Sequence, residues 1–536
     1  MDLILSENGN RINCLEHLPP LGGISHGHHV LRFNYSFKDE NTDGKSQVNQ
    51  KLLFKRGNYS ELSEYFSSFN WEKEFQDLDT NECYKKWLKI YNVGVDKFIP
   101  RLKLKYNKKS SPWMSNDLRK MVKLKKSLWY KCMHSGFKQN QLVEKYKSLN
   151  KSVKKKVVQD IKAFELNLAK NSKKNPKSVY AYLNSKTVIK DTIKALKSAD
   201  GSITTNGLDI ANSLNEYFVS VFLKDDSLED VSFPNKCENV CKDPNFEVDD
   251  VREQLMNLNV NKSVGVDKVH PHVLKECSDS LSRPLSLIFK KSYYSGVIPD
   301  EWLVANITPL FKKGYKLEPT NYRPVSLTSI VCKIMEKIIR AVMMDHLTAN
   351  NLLAKEQHGF VNGKRCCSNL LEALDFITRA YAAGIDIDII FLDFAKAFDS
   401  VSLIKLCLKL YGYGFRAHIL DWCRAFLSTR KQRVVLGEFI SEWLNVTSGV
   451  PQGSVLGPLL FVIFINDLMI NILNKLELFA DDTKMMSQIL NEISCKNLQD
   501  DLNKLLEWSD EWSIKFNEEK SKVMHIEKSN PSLNIK

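Results

Sequence analysis

The sequence contains no long apolar run. Its longest, Leu459 to Ile465, falls far short of the roughly 20 residues that a helix needs to cross a bilayer. A membrane-spanning helix is therefore not expected. Nor is a secretory signal, since Met1 is followed directly by Asp2 with no basic stretch leading into an apolar one. Ordered pairs of cysteines are also missing. The 12 cysteines are scattered: Cys237 and Cys241 stand with three residues between them, Cys366 and Cys367 are adjacent, and neither has a second close pair to complete a zinc site. His270 and His272 follow at a spacing unsuited to a zinc finger. Reduced thiols in a soluble, intracellular chain are the expectation.

Acidic residues are scarce in one place. Residues 101–190 hold 25 Lys and Arg against 4 Asp and Glu, whereas the rest of the chain holds 52 against 59. The formal net charge of +14 thus comes from one segment. Such a block predicts a polyanionic partner, nucleic acid first and an anionic membrane surface second. Within it Leu149, Val153, Val157, Ile161, Phe164 and Leu168 recur at steps of three or four, which predicts one helical stripe with Lys154, Lys155, Lys156 and Lys162 mostly off it. A solvated helix face packed on a neighbour is the plain alternative. Unopposed like charges at helical spacing weaken a helix, so contact with a nucleic-acid backbone is the favoured reading.

The 536 residues suffice for three or four domain-sized units, and 43% hydrophobic residues supply a packed core. Residues 39–100 are polar, with helical spacing around Leu62, Tyr65 and Phe66. Helical patterns follow at 208–222 and 249–259, then a loop at 262–267 and a helix from about His272 to Tyr294 that stops at Gly296 and Pro299. Ile307–Phe311 and Asn321–Leu327 read as strands around a basic turn, with Lys312, Lys313 and Arg323 on one side of a hairpin; three solvated surface cations are the alternative. Ile385 to Leu392 reads as a buried strand ending at Asp393, a costly place for a carboxylate unless it is paired or holds a metal. A helix is expected next, from Phe394 to Leu410, with Asp386 and Asp388 facing solvent and Asp399 as a local cap. Ser448 to Pro458, with three glycines and two prolines, is a shaped loop whose backbone can approach a ligand and whose Gln452 can hydrogen-bond to it. An apolar helix then runs toward Leu468. Finally, Leu476 to Phe479, the pair Asp481-Asp482 and Met485-Met486 read as a tight hairpin presenting two acids. Adjacent ionised acids usually need a cation between them, although Asp is also an ordinary turn residue.

Together, Asp393, the Pro451-Gln452-Gly453 loop and Phe479-Ala480-Asp481-Asp482 closely resemble the palm of a reverse transcriptase. The resemblance runs from about residue 260 to 528. It takes in Asn321 to Leu327, Gln357-His358-Gly359-Phe360, Phe391 to Asp399, Ser448 to Gly457, the Asp-Asp hairpin and Asn517-Glu518-Glu519-Lys520, in that order. The Phe-Ala-Asp-Asp form and the run Lys396-Ala397-Phe398-Asp399 are similar to the jockey-like branch of non-LTR (LINE) retrotransposons. Residues 1–38, read as strands Leu3–Leu5 and Val30–Phe33 around a Pro-Gly loop, resemble the last strands of the endonuclease/exonuclease/phosphatase-like domain that such elements carry. Asp2 fits one of its catalytic positions. His26-Gly27-His28 keeps only the His of its Ser-Asp-His triplet, so no nuclease activity is expected.

The resemblance implies an α+β fold: right-hand polymerase fingers and palm over 246–528 with a βαββαβ-like antiparallel palm sheet. It is preceded by a long helical basic linker over 39–245 and followed by a tail at 529–536, with the thumb largely missing. The chain thus reads as a retroelement polymerase truncated at both ends. The resemblance further implies two Mg²⁺, for which Mn²⁺ can substitute, held by Asp393, Asp481, Asp482 and the main-chain carbonyl of Phe394. Arg323 with Lys312 or Lys313 would hold triphosphate oxygens, and Phe398 would screen the sugar 2′ position in favour of dNTPs. Gln452 and Gly453 would pack on the incoming nucleotide and template. Lys520 matches a lysine that protonates the leaving pyrophosphate; a plain surface lysine after a helix is the alternative. Arg365 joins Lys154, Lys155, Lys156 and Lys162 as nucleic-acid contacts. Implied partners are an RNA template, a DNA primer or target and dNTPs, in cytoplasm and nucleus, with no membrane. The competing reading is a catalytically silent nucleic-acid-binding remnant; an RNA-templated RNA polymerase conflicts with Phe398.

Overall fold

The computed structural model describes residues 12–18, 30–35, 51–102, 111–173, 175–186, 193–197, 201–223 and 231–526. Asp2, the expected strand Leu3–Leu5 and His26 to His28 lie outside the described residues. Contacts divide the chain into two units, residues 1–52 with 101–191 and residues 53–100 with 192–536.

In the first unit β1 (Ile12–Leu18) pairs antiparallel with β2 (Val30–Tyr35), and β3 (Lys51–Leu52) with β4 (Arg101–Leu102). The basic block forms helices Asn116–His134 and Asn140–Lys170. Ser115 caps the first by accepting the Leu118 N–H. Gly136 and Phe137, with φ of 59° and 63°, break the chain between the two helices. They fold back through Trp129, Cys132 and Tyr146, all buried. The expected stripe faces this partner: Val153 is buried, and Leu149, Val157, Ile161, Phe164 and Leu168 are half-buried. Lys154, Lys155 and Lys162 are exposed, whereas Lys156 turns to Asp160, 3.2 Å away.

The second unit holds a short pair, β5 (Leu196–Lys197) with β6 (Ile203–Thr204), and two larger sheets. One is mixed. β7 (Val304–Phe311) pairs antiparallel with β8 (Tyr322–Leu327), so the expected hairpin forms. The other sheet is antiparallel, and its first strand in the chain is β9 (Asp386–Leu392). The mixed sheet is completed by β10 (Arg430–Leu436), parallel to β7, and by β11 (Phe439–Ile440) and β12 (Leu444–Val446), both antiparallel to β10. The helix Gly207–Ser220 covers it through Ile210, Leu214 and Phe218.

The antiparallel sheet runs in the spatial order β13 (Lys475–Phe479), β14 (Asp482–Ile489), β9, β15 (Lys522–Ile526). Along the chain β9 is followed, after helices Leu403–Gly412 and His418–Leu427 and strands β10 to β12, by helix Gly457–Ile465, β13, β14, helix Glu492–Glu511 and β15. Gly457–Ile465 is apolar all round and is the buried centre of the unit, which is where such a helix belongs. Helix Cys366–Ala382 covers one face of the sheet, with Ala373 and Ala380 against Ile387, Ile389 and Met486. The helix Glu492–Glu511 packs on β14. No described helix is long and apolar enough to cross a membrane.

Three expectations are corrected. Asp388 does not face solvent: β9 is the centre of a sheet covered by helices, so Asp388 is 5% exposed and paired with His525 at 2.5 Å. Asp386 at the strand's start is half-buried and also engaged. The helix expected from Phe394 begins only at Leu403, because Phe394 to Val401 is bonded to two other loops and Lys396 takes a left-handed φ of 53°. The helix expected over 272–294 is split at Cys277 into Pro271–Glu276 and Ser278–Ser295, and Gly296 ends it in the left-handed region as expected. The stretch 39–245 is divided between the units. Residues 53–100 carry Phe66, Tyr91, Trp87 and Tyr84, whose rings stack in that order, and the Tyr84 hydroxyl donates to the buried Asp267 at 2.8 Å.

Candidate active site

The acidic hairpin forms as read from the sequence. Phe479 pairs with Asp482 across a two-residue turn, Ala480-Asp481. Thr483 pairs with Leu392 on β9, so Asp482 and Asp393 emerge side by side from neighbouring strands. Ala480 sits at φ 58°, a costly conformation for a residue with a Cβ. Gln357 secures it. Its side-chain Oε1, buried in the protein, accepts the Ala480 N–H at 3.0 Å and the Gly359 N–H at 2.7 Å. The main chain on either side runs along β13: His358 N–H donates to Leu478 O and Leu478 N–H to Glu356 O. A Cβ on Gly359 would overlap the Ala480 backbone nitrogen.

Asp393 is held from the other side. Asn517 N–H donates to Asp393 O at 2.7 Å and Ala395 N–H to Lys515 O at 2.8 Å, leaving the Phe394 carbonyl out of both bonds, while the Phe394 ring stacks on Phe516 at 4.5 Å. The turn Asn517 to Lys520 then delivers Lys520 Nζ to Asp393 Oδ2 at 2.7 Å. Lys520 is an exposed lysine that follows the helix Glu492–Glu511, as its plain alternative had it, and it is also ion-paired with Asp393. Although the Asp482 side chain is exposed, its carboxyl is raised above the usual range, first by loss of water to the neighbouring protein, then by the charges of Asp481 and Asp393; Lys312 and Lys520 oppose the rise. Three carboxylates thus lie in one another's field with two ammonium groups near.

A second cluster surrounds Gln452. Its Nε2 donates to both oxygens of Asp399, at 3.0 and 3.1 Å, and its Oε1 accepts from Arg323 Nε at 3.0 Å. Ser326 N–H donates to Gln452 O at 2.9 Å, and a Cβ on Gly453, at φ 135°, would overlap Ser326 O. Ser448 donates to Asp399 O, and Val450 N–H to Phe398 O. Buried Glu336 accepts the N–H groups of Val455 and Leu456 and so fixes the loop's exit. Asp399 is thus no local cap: it is 9% exposed, its partner lies across the fold, and burial pushes its carboxyl up to about 6. Phe398 is buried and stacks on Phe461 at 4.7 Å.

Of the residues singled out by sequence, Asp393, Asp481, Asp482, Lys312 and Lys520 are brought together, as are Arg323, Gln452 and Gly453. Lys313 is exposed beside Lys312 at the end of β7. Arg365 is exposed at the start of helix Cys366–Ala382. Lys154, Lys155, Lys156 and Lys162 belong to the first unit. Sequence reasoning missed the holding parts played by Gln357, Gly359, Glu336 and Asp399. Glu336 carried a signal: a carboxylate between Ile334-Met335 and Ile338-Ile339, on a stretch with apolar residues at helical spacing, must find partners if buried.

The donor set suits a hard divalent cation, since clustered carboxylate oxygens are what Mg²⁺ selects. Among the described residues no three acidic, His or Cys side chains already converge on one point, and Lys520 occupies Asp393. Binding would therefore need carboxylate rotamers to turn and Lys520 to withdraw.

Residues 311–534 match the reverse transcriptase (RNA-dependent DNA polymerase) family. The chain is similar to the probable RNA-directed DNA polymerase from transposon X-element of Drosophila melanogaster, 30% identical over 283 residues, which are 52% of this chain and 31% of that protein. The probable polymerase from transposon BS of the same organism is 30% identical over 288 residues, 51% of this chain and 31% of its own. The RNA-directed DNA polymerase from its mobile element jockey is 27% identical over 288 residues, again covering 51% and 31%. The matched stretch spans about a third of the length of these curated relatives. Over residues 311–534 the chain is thus similar to reverse transcriptases, and the proteins it resembles over about half its length are polymerases named from the transposons X-element and BS and the mobile element jockey.

Proposed function

We propose that this chain is an RNA-directed DNA polymerase that adds dNTPs to a primer 3′-hydroxyl on an RNA template. The observation that carries the reading is the juxtaposition of Asp393 with the Asp481-Asp482 turn on adjacent strands of one antiparallel sheet. In this reading the β9, β13, β14, β15 sheet is the palm, its alternation with two helices being the βαββαβ order, and the β7–β8 hairpin belongs to the fingers.

Asp393, Asp481, Asp482 and the Phe394 carbonyl would hold two Mg²⁺ ions. When bound, these supply the charge that eases deprotonation of the 3′-hydroxyl and offsets charge on the pyrophosphate as it leaves. The chain's own groups do the rest. Arg323 would grip triphosphate oxygens with its planar guanidinium, and Lys312 or Lys313 would add a compact charge. Gln452 and Gly453 would bear on the incoming nucleotide, the absent Cβ allowing close backbone approach. Phe398 would stand where a ribose 2′-hydroxyl collides. As the bond between the α-phosphorus and its bridging oxygen breaks, Lys520 would give a proton to the departing pyrophosphate oxygen, having first released Asp393. The exposed lysines Lys154, Lys155 and Lys162, with Arg365, would contact nucleic-acid backbone.

Primer extension on an RNA template with Mg²⁺ tests the reading. Wild type is expected to extend and Asp481→Ala to fail; equal extension by both contradicts it. One observation favours a second reading, a nucleic-acid-binding chain without turnover: Asp393 is already neutralised by Lys520. Tight RNA binding with no extension by wild type would select it.

A further inference from the structure

Arg323 is exposed on β8, and a long exposed side chain ordinarily samples many rotamers. Here it is tethered through Nε to Gln452 Oε1 at 3.0 Å. Gln452 would hold that orientation poorly alone, because an amide turned by 180° has the same shape. Asp399 breaks the symmetry. Both of its oxygens accept from Gln452 Nε2, at 3.0 and 3.1 Å. In the flipped amide, oxygen would meet carboxylate and N–H would meet N–H. The carboxylate is itself rigidly placed. Its backbone is bonded to Ser448, and Gly449, at φ 85°, lies so close that a Cβ there would stand 2.8 Å from Asp399 Cα.

We infer that Asp399 is a positioning residue for triphosphate recognition: through Gln452 it presents the Arg323 guanidinium, with its remaining N–H groups free of the tether, to the incoming nucleotide. The inference rests on the polymerase reading only for the identity of the ligand. It predicts dependence of Arg323 on a buried carboxylate that never touches substrate. Asp399→Asn keeps the size of the side chain but lets either amide orientation of Gln452 find a partner, so the selection of Arg323's pose is lost.

The test is a double-mutant cycle on equilibrium dNTP binding by the full chain with primer and RNA template, read with a fluorescent dNTP. Asp399→Asn is expected to weaken binding about tenfold, the order of one charge-assisted hydrogen bond. Arg323→Ala should weaken it at least as much, and the double variant should match Arg323→Ala within about twofold, because the two act as one unit. A merely structural Asp399 would instead give a double variant whose loss is the product of the single losses, and that result, or unchanged binding in Asp399→Asn, overturns the inference. Thermal unfolding of each variant checks folding. Should Asp399→Asn not fold, Asp399→Ser, which also removes the carboxylate that selects the Gln452 amide orientation, must reproduce the loss and add nothing to Arg323→Ala. Wild type that binds dNTPs without extending primers refutes the polymerase reading and leaves the cycle to decide the role of Asp399. Wild type that binds no dNTP refutes both.

Discussion

Gly359→Ala should damage the acidic hairpin without touching any acid. Gly359 does not take a positive φ, so an alanine there meets no intrinsic backbone strain. What it meets is the hairpin turn. A Cβ would lie 2.9 Å from Ala480 Cα and still closer to Ala480 N, against an ordinary carbon–carbon separation of about 3.5–4.0 Å. The obstacle is backbone rather than a movable side chain, so the turn carrying Asp481 and Asp482 must retreat by roughly 1 Å. Overpacking of this kind costs about 1–3 kcal/mol of stability. A misplacement of roughly 1 Å at reacting groups costs on the order of 10²-fold in rate. The variant should therefore stay folded in urea titration while single-nucleotide primer extension at saturating dNTP falls by about two orders of magnitude. Gly363→Ala is the control. It sits at φ 78° with no atom within 4 Å of an added Cβ, so it strains the backbone without pressing on the hairpin. Full extension by Gly359→Ala, or an equal loss in Gly363→Ala, would refute the reasoning.

Three further outcomes follow from the same contacts. Phe398→Ala should relax discrimination against rNTPs by about tenfold or more, while losing the stack on Phe461 and about 3–5 kcal/mol of stability; unchanged dNTP preference in single-nucleotide extension refutes the screening role. Asp467→Asn should destabilise the chain by about 3–5 kcal/mol at pH 7, because it strips the fully buried Lys409 of its ion-pair partner. Lys409 is pushed down to about 8 by burial, so in wild type its contribution to stability rises from about pH 8 toward its unfolded value of 10.5, where the unfolded chain still binds a proton the folded chain has released; urea midpoints that do not rise over that window contradict this. For the basic unit, replacing Lys154, Lys155 and Lys162 with alanine should flatten the slope of log K against log salt for RNA binding by about 2–3. A wild-type slope already near zero would make the helix merely structural.

The parts of this site that were legible in the sequence are local. A two-residue turn between apolar runs identified the Asp481-Asp482 hairpin, and the apolar run through Leu392 identified the strand that ends at Asp393. What was misread depends on residues distant in sequence. Asp388 looked solvent-facing because alternation says which residues share a face, not whether helices cover both faces. Asp399 looked like a cap because its partner, Gln452, lies 53 positions on. Lys520 is an exposed lysine, and its ion pair with Asp393, 127 positions earlier, left no local signal. The helix forecast after Asp393 failed because apolar spacing over Phe394 to Val401 serves contacts with two loops rather than one helical face.

The central claim is that Asp393 and the Asp481-Asp482 turn form one site for two divalent ions. Mn²⁺ binding followed by electron paramagnetic resonance tests it most directly, with the full chain, an RNA template, a dideoxy-terminated primer and the matching dNTP. Two bound ions per chain are expected in wild type and at most one in Asp393→Asn or Asp481→Asn. The same number of bound ions in wild type and in both variants would contradict it.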